Sequence, residues 1–520
     1  DGTDNVIIGE AAGSSIASGG NYNTLLGTSA GAAVTTGDSN VAIGFKALFV
    51  EDTSGGSVAI GDSALRAQNA TAAAAYNTAV GHSAGTAITT GIENTFVGGN
   101  TGGTVDGIEN TGIGYAALSA DCGNHNTAVG RTSFQLLTST QCTGVGTEAG
   151  RFMDSGNNNT AVGKAALRGG STSGNSGANN VAIGVEAAKV ITSANEIVAI
   201  GASAGNNIST GIRNCFVGRQ AGYYISTGAE NVCIGTYAGA ATNSDMAGAN
   251  GLVCVGEETM HAGGASHAVA IGYQTGYNTK GSNNIGIGYR AMSYNTNSGQ
   301  HTGTSGQYIG DYSGYNVSSG ATNACLGHAA GYNVTTGSNN VLLGTDAGRS
   351  GSPSGTITTA SHRVVLGNNN TTHLFCAQNT INTSDERDKT DVNALTIGLS
   401  FINKLEPVTY RWDHRSFYLE EEDLDSEEGP TQTLDDVTPD GSKKRDQLEV
   451  GFLAQKVIPE EEAAGYKLDD NTNILSSLTD DGKIYGLKYN GFIPILVKAV
   501  QELSAEVTAL KAEVAALKGE

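Results

Sequence analysis

One short motif recurs through most of this 520-residue chain and decides what the chain can fold into. It reads Asn, one variable residue, Ala, a branched aliphatic residue, then Gly. It appears as Asn40-Val41-Ala42-Ile43-Gly44, as Asn77-Thr78-Ala79-Val80-Gly81 and as Asn180-Val181-Ala182-Ile183-Gly184. Twenty-one anchor glycines follow one another from Gly9 to Gly367, about 18 residues apart. A unit this small cannot bury an apolar side alone, so successive units must stack. With strands ~4.8 Å apart, about 20 coils make a rod on the order of 100 Å long around a narrow core. Each repeat reads as two short strands. The first is the apolar run ending at the anchor. The second is a stretch such as Ala87-Ile88-Thr89-Thr90-Gly91 or Asn333-Val334-Thr335-Thr336-Gly337, closed by a Gly turn. A roll within each chain and a β-helix of three interlocked chains both fit.

Composition agrees. Gly is 75 of 520 residues, aromatics are 6% and charged residues 15%. That is too little charge for disorder and too few large side chains for a thick core. A flexible Gly/Ser linker would not hold Val or Ile before Gly in register through the copies. Residues 1–352 contain no proline, which suits long parallel pairing because Pro cannot donate to a ladder. A net charge of −22 argues against a nucleic-acid partner. The seven cysteines show no metal spacing and read as small buried hydrophobes, with disulfides as the other possibility. No apolar run approaches the ~20 residues of a membrane span. The chain begins Asp-Gly-Thr, without Met or a signal pattern, so a fragment or processed product is expected.

The repeats carry no recognisable catalytic constellation. The nine histidines are scattered, and the Gly-rich loops read as turns and not as phosphate cradles. Neither cofactor nor metal is expected. Tyrosines cluster between residues 223 and 332. Tyr223, Tyr273, Tyr277, Tyr315 and Tyr332 are candidate receptor contacts, since exposed rings can stack on sugars. The alternative is that they pack across chains or cover turns.

Residues 5–350 resemble the head repeats of trimeric autotransporter adhesins, and similar repeats occur in phage tail fibres. The resemblance implies a trimeric adhesive rod.

The repeat fails after Gly367, which places a β shaft at 1–367 and a connector at 368–383. Beyond it Gly falls, charge rises, and the only Trp, Trp412, appears. From Ser384 onward there are 15 Lys and Arg against 29 Asp and Glu. Residues 393–406 have helical apolar spacing, and Pro407 to Trp412 reads as a strand. Residues 420–446 read as a mobile acidic loop. Segments 451–459 and 486–490 read as ordered. The tail, 493–520, is a coiled coil: Ile493, Leu496, Val500, Leu503, Val507, Leu510, Val514 and Leu517 alternate steps of three and four. Glu506 and Glu513 then fall at g, with Lys511 and Lys518 at e, which suits parallel chains. Val at a with Leu at d leans towards two strands.

Residues 384–520 resemble the endosialidase-type intramolecular chaperone of phage tail spikes and fibres, peptidase family S74. The matching positions are Ser384-Asp385, Arg387 and Lys389, the Leu405 to Trp412 run, Gly451-Phe452-Leu453-Ala454-Gln455, and Tyr489 before the last helix. The resemblance implies a homotrimerising α+β domain at 384–492 that helps the preceding shaft fold. It also implies a cut between Thr383 and Ser384, with Ser384 as nucleophile and Lys389 as base; Arg387 could help by its positive charge, and Asp385 is a further candidate for support whose role stays open. At most this is a single-turnover serine autoprotease. A Ser–Lys pair can work in this way only if burial or nearby positive charge depresses the Lys.

The function expected is a virion tail fibre that contacts a glycan or protein receptor on a bacterial surface. Other tail proteins would join through a missing N-terminal region. A bacterial trimeric surface adhesin is the alternative, though that class ends in membrane strands. A glycan-degrading spike would need a carboxylate pair, and none can be nominated.

Overall fold

The structure is a computed structural model that describes residues 2–103, 106–170, 175–240, 246–293, 300–374, 384–419, 432–469 and 472–519. Two compact units divide it, Asp1–Asp311 and Tyr312–Glu520. The fold is mainly β.

The first unit is a parallel β-solenoid. Eighteen strands of three residues, from β1 (Val6–Ile8) to β18 (Gln307–Ile309), lie in chain order. Each pairs in parallel with the next without slip. Val41 in β3 (Val41–Ile43) faces Val58 in β4 (Val58–Ile60), Ala42 faces Ala59, and Ile43 faces Ile60. The middle residue of each strand from β2 (Thr24–Leu26) onward points inwards and is buried. The first and third residues point outwards, as a two-residue period requires.

Among the described residues the expected second strand does not form, apart from isolated parallel bridges such as Met153–Asn175 and Thr279–His301. Ile88 is fully buried as its pattern required, but residues 84–93 form turns. Ser83 and Gly85 both have left-handed φ, and the Ile88 N–H turns back to Gly85 O at 3.1 Å. The chain is therefore already reversing where a strand would need to extend. Contact between coils continues here through single backbone bonds, such as Gly85 N to Thr101 O at 2.8 Å, and through Thr89, which binds the Asp106 carboxylate of the next coil by N–H and Oγ1.

Two features explain why the motif has these residues. The anchor glycines sit directly on one another. Gly44 has φ +133°, and a Cβ on it would lie 2.5 Å from Gly61 O. The motif asparagines form a buried ladder. Asn94 Oδ1 accepts from Asn110 N at 2.9 Å, while its Nδ2 donates to Gly107 O at 2.9 Å. Where the next coil lacks Asn the acceptor still serves, as Ile197 N donates to Asn180 Oδ1 at 3.0 Å.

Three more parallel strands open the second unit: β19 (Ala324–Leu326), β20 (Val341–Leu343) and β21 (Val364–Leu366). An α+β domain follows. It contains α1 (Leu399–Ile402), the antiparallel pair β22 (Val408–Tyr410) and β23 (Glu449–Gly451), α2 (Ala454–Ala463), the hairpin β24 (Ser476–Leu478) and β25 (Tyr485–Leu487), and α3 (Phe492–Lys518). Its core gathers Ile397, Phe401, Val457, Leu475, Phe492 and Ile495.

Two expectations need correction here. The helix proposed at 393–406 is only one turn, Leu399–Ile402. Gly398 stands before it with no side chain to cap it, and the Glu502 carboxylate from α3 accepts from Leu399 N at 2.7 Å instead. Residues 420–431 of the proposed mobile loop lie outside the described residues. Residues 432–436 are folded, with a Thr433–Asp436 capping box and Leu434 buried. The Lys483–Asp435 ion pair at 2.8 Å fixes this turn to the domain.

The six described cysteines are free, and five of them are buried. Cys376 lies outside the described residues.

Candidate functional site

The segment entering the α+β domain is short and wholly exposed. Asp385 caps a 3-10 turn, Glu386–Asp388, by accepting from Arg387 N at 3.0 Å. That turn folds the chain back so that Lys389 returns to Ser384. Lys389 Nζ lies 2.6 Å from Ser384 Oγ and 3.3 Å from Ser384 O. The two residues proposed as nucleophile and base are thus brought together within one six-residue loop.

The proposed helpers are placed differently. The Arg387 guanidinium is directed at Asp385, at 2.6 and 3.0 Å, and not at Lys389. That pairing holds the Asp385 carboxyl below its usual range. Its physical effect is to brace the turn that carries the Ser–Lys contact. Thr383, on the other side of the proposed cut, lies outside the described residues.

Sequence reasoning missed Glu461. This buried carboxylate on α2 accepts three backbone N–H groups, from Ile474 and Leu475 at 2.6 Å and from Ser476 at 3.0 Å. It ties α2 to the start of β24. Nothing in the spacing of Glu460-Glu461-Glu462 marks its middle member.

Tyr223, Tyr277, Tyr315 and Tyr332 each stand five residues after an anchor glycine, whereas Tyr273 stands one after. Tyr273 stacks on Tyr289 at 5.5 Å, one residue after their anchors. Tyr277, five residues after its anchor, stacks on His261 at 5.3 Å, and His261 meets Tyr237 edge-on. Tyr223 contacts its neighbour Tyr224 edge-on. In the second unit Tyr315 stacks on Tyr332 at 5.2 Å, and the Arg349 guanidinium lies 5.1 Å over the Tyr332 ring. Each of the five therefore packs on a neighbour within its own chain.

Among the described residues no group of three or more His, Cys, Asp or Glu comes together as a metal set would. No described helix is long and apolar enough to cross a membrane.

Comparison with known proteins defines the class of the C-terminal part. Residues 384–466 match the peptidase S74 family, described as the chaperone of endosialidase. The matched region begins at Ser384 and includes Lys389, β22, β23 and α2. Over residues 384–466 the chain is thus similar to an intramolecular chaperone of this type, and this segment follows the β-solenoid in sequence. No curated protein and no solved structure matches the chain.

Proposed function

We propose that the chain is one protomer of a homotrimeric virion tail fibre that contacts a bacterial surface, matured by a single self-inflicted cut between Thr383 and Ser384. One observation carries the assembly: the apolar residues left facing water are in register. In the first unit the third position of every strand is Ile, Val or Leu, and none is buried. Ile8, Leu26, Val97, Ile113, Ile183 and Ile271 are among the exposed ones, at 37–60%. Such a stripe is far longer than a soluble monomer tolerates.

Helix α3 has the same property. Phe492, Ile495 and Ala499 pack on its own domain, while the heptad residues Ile493 to Leu517 are exposed. A coiled coil at the C-terminus and a repeating stripe on the shaft are both answered by two further copies of this chain. Native mass measurement tests this. Uncut Ser384→Ala protein is expected at about three times the 52.7 kDa of one chain. A folded monomer would overturn the reading.

The Ser384–Lys389 contact at 2.6 Å supports the following chemistry. Neutral Lys389 takes the Ser384 proton as Oγ attacks the Thr383 carbonyl carbon. The peptide C–N bond breaks, an ester forms between Thr383 and Ser384 Oγ, and the proton passes to the freed Ser384 amine. Water then hydrolyses the ester to a Thr383 carboxylate and the Ser384 hydroxyl. A Lys base needs burial or neighbouring positive charge, whereas the single chain leaves Ser384 and Lys389 exposed. Assembly supplies that burial, so the cut follows trimer formation.

The chaperone role answers a folding problem. Parallel stacking of nearly identical coils is slow and open to slippage by one repeat. Fixing three C-termini together sets the register, and removing the template afterwards leaves the shaft kinetically trapped.

A further inference from the structure

Among the described residues, the last coil of the second unit meets the α+β domain through charged and polar groups. The core of the α+β domain draws none of its members from residues 312–374. The interval from Gly344 to Gly367 is longer than the usual 16 or 17 residues, and its extra loop contains Pro353. Within it Thr356 N donates to Asp481 Oδ2 at 2.8 Å. Gly355, with φ +64°, makes room for that carboxylate; a Cβ there would lie 2.7 Å from it.

Asp481 is itself held on the tip of the β24–β25 hairpin, accepting from Thr479 Oγ1 at 2.5 Å and Lys483 N at 3.1 Å. The preceding residue, Asp480, takes both Nε and Nη2 of Arg363, at 3.0 and 2.9 Å. A second polar contact lies across a cavity of about 640 Å³ lined in part by Trp412, His414 and Tyr485. There Arg445 donates to Asn369 O, and Asn369 Nδ2 donates to Ser416 Oγ at 2.9 Å.

We propose that the hairpin tip, Thr479 to Lys483, is a latch that recognises the terminal coil of the shaft, with Asp480 and Asp481 gripping Arg363 and the Thr356 amide. The chaperone fragment then stays on the shaft after the backbone is cut and leaves when the ionic contacts are screened. The Arg363–Asp480 pair is partly exposed, at 46% and 32%, so salt reaches it. An apolar joint would tighten in salt instead. The natural cut rests on the function proposed above, but the latch does not.

The test supplies its own cut. A site-specific protease sequence replaces residues 376–382 in full-length Ser384→Ala protein, so self-cleavage plays no part. After cutting, co-elution of fragment 384–520 with the shaft is followed at about 0.05 M and about 1 M NaCl. The fragment is expected to be retained at low salt and to leave at least about tenfold faster at high salt. Asp480→Asn with Asp481→Asn is expected to release it at low salt. Arg363→Asp alone should do the same, and adding Asp480→Arg should restore retention, which guards against a variant that merely misfolds. Release from the parent at low salt, indifference to salt, retention of the double variant, or no recovery in the charge swap would each overturn the latch.

Discussion

Gly102 and Phe96 share one volume. The Phe96 ring fills the coil interior, and a Cβ on Gly102 would sit 2.6 Å from it. The same exchange recurs along the shaft. A small strand centre is followed six residues later by a large residue, as in Ala42 with Leu48 and Ala59 with Leu65, all fully buried. Phe216 reverses the order and is followed by Gly222, the sixth residue on. Phe96→Ala is therefore expected to cost about 3–5 kcal/mol, read as faster amide exchange in the adjoining coils. Asn94→Ala strands the buried Asn110 N–H and Gly107 carbonyl and should cost about 2–4 kcal/mol by the same measurement.

His301 adds a pH dependence. Burial pushes its imidazole down from 6.5 to about 4, so it is neutral inside the coil. Between those values the unfolded chain binds a proton that the folded chain does not. The contribution is complete above pH ~6.5 and is lost as pH falls towards 4, by about 3 kcal/mol in all. His301→Gln is expected to flatten that part of a stability–pH profile.

At the scale of elements, the sequence was informative where local geometry repeats. Gly at φ near +130°, a buried small residue before it and Asn at the coil start were visible as one motif, because each coil imposes the same constraints. The second strand was misread because alternation predicts which side chains are buried, but not that Ser83 and Gly85 are left-handed. The helix at 393–406 was overextended because its cap comes from Glu502, a hundred residues away. The Ser384–Lys389 pairing was legible through motif resemblance, whereas the Asp385–Arg387 brace was not. Glu461 was invisible because its three partners belong to a different element. Glu461→Ala leaves three buried amides unpaired and should destabilise the chaperone by about 2–4 kcal/mol in thermal unfolding. Shaft coils should then fail to fold even though their own sequence is intact.

At the scale of the whole molecule, the proposed trimer would cover both exposed apolar features, the strand stripe and the α3 seam. Leu503→Asp with Leu510→Asp places charge in the heptad seam of α3 and should abolish assembly. If burial on assembly is what makes Lys389 a base, that variant also stays uncut, although the substitutions lie far along the chain from Ser384. Sedimentation and a denaturing gel report the two effects separately.

The most direct measurement is the intact mass and N-terminal sequence of purified wild-type protein beside Ser384→Ala. A C-terminal fragment beginning at Ser384, present in the wild type and absent from the variant, is the predicted result. A wild-type chain that assembles into a stable trimer yet remains whole would contradict the account, leaving a fibre with a permanent C-terminal clasp.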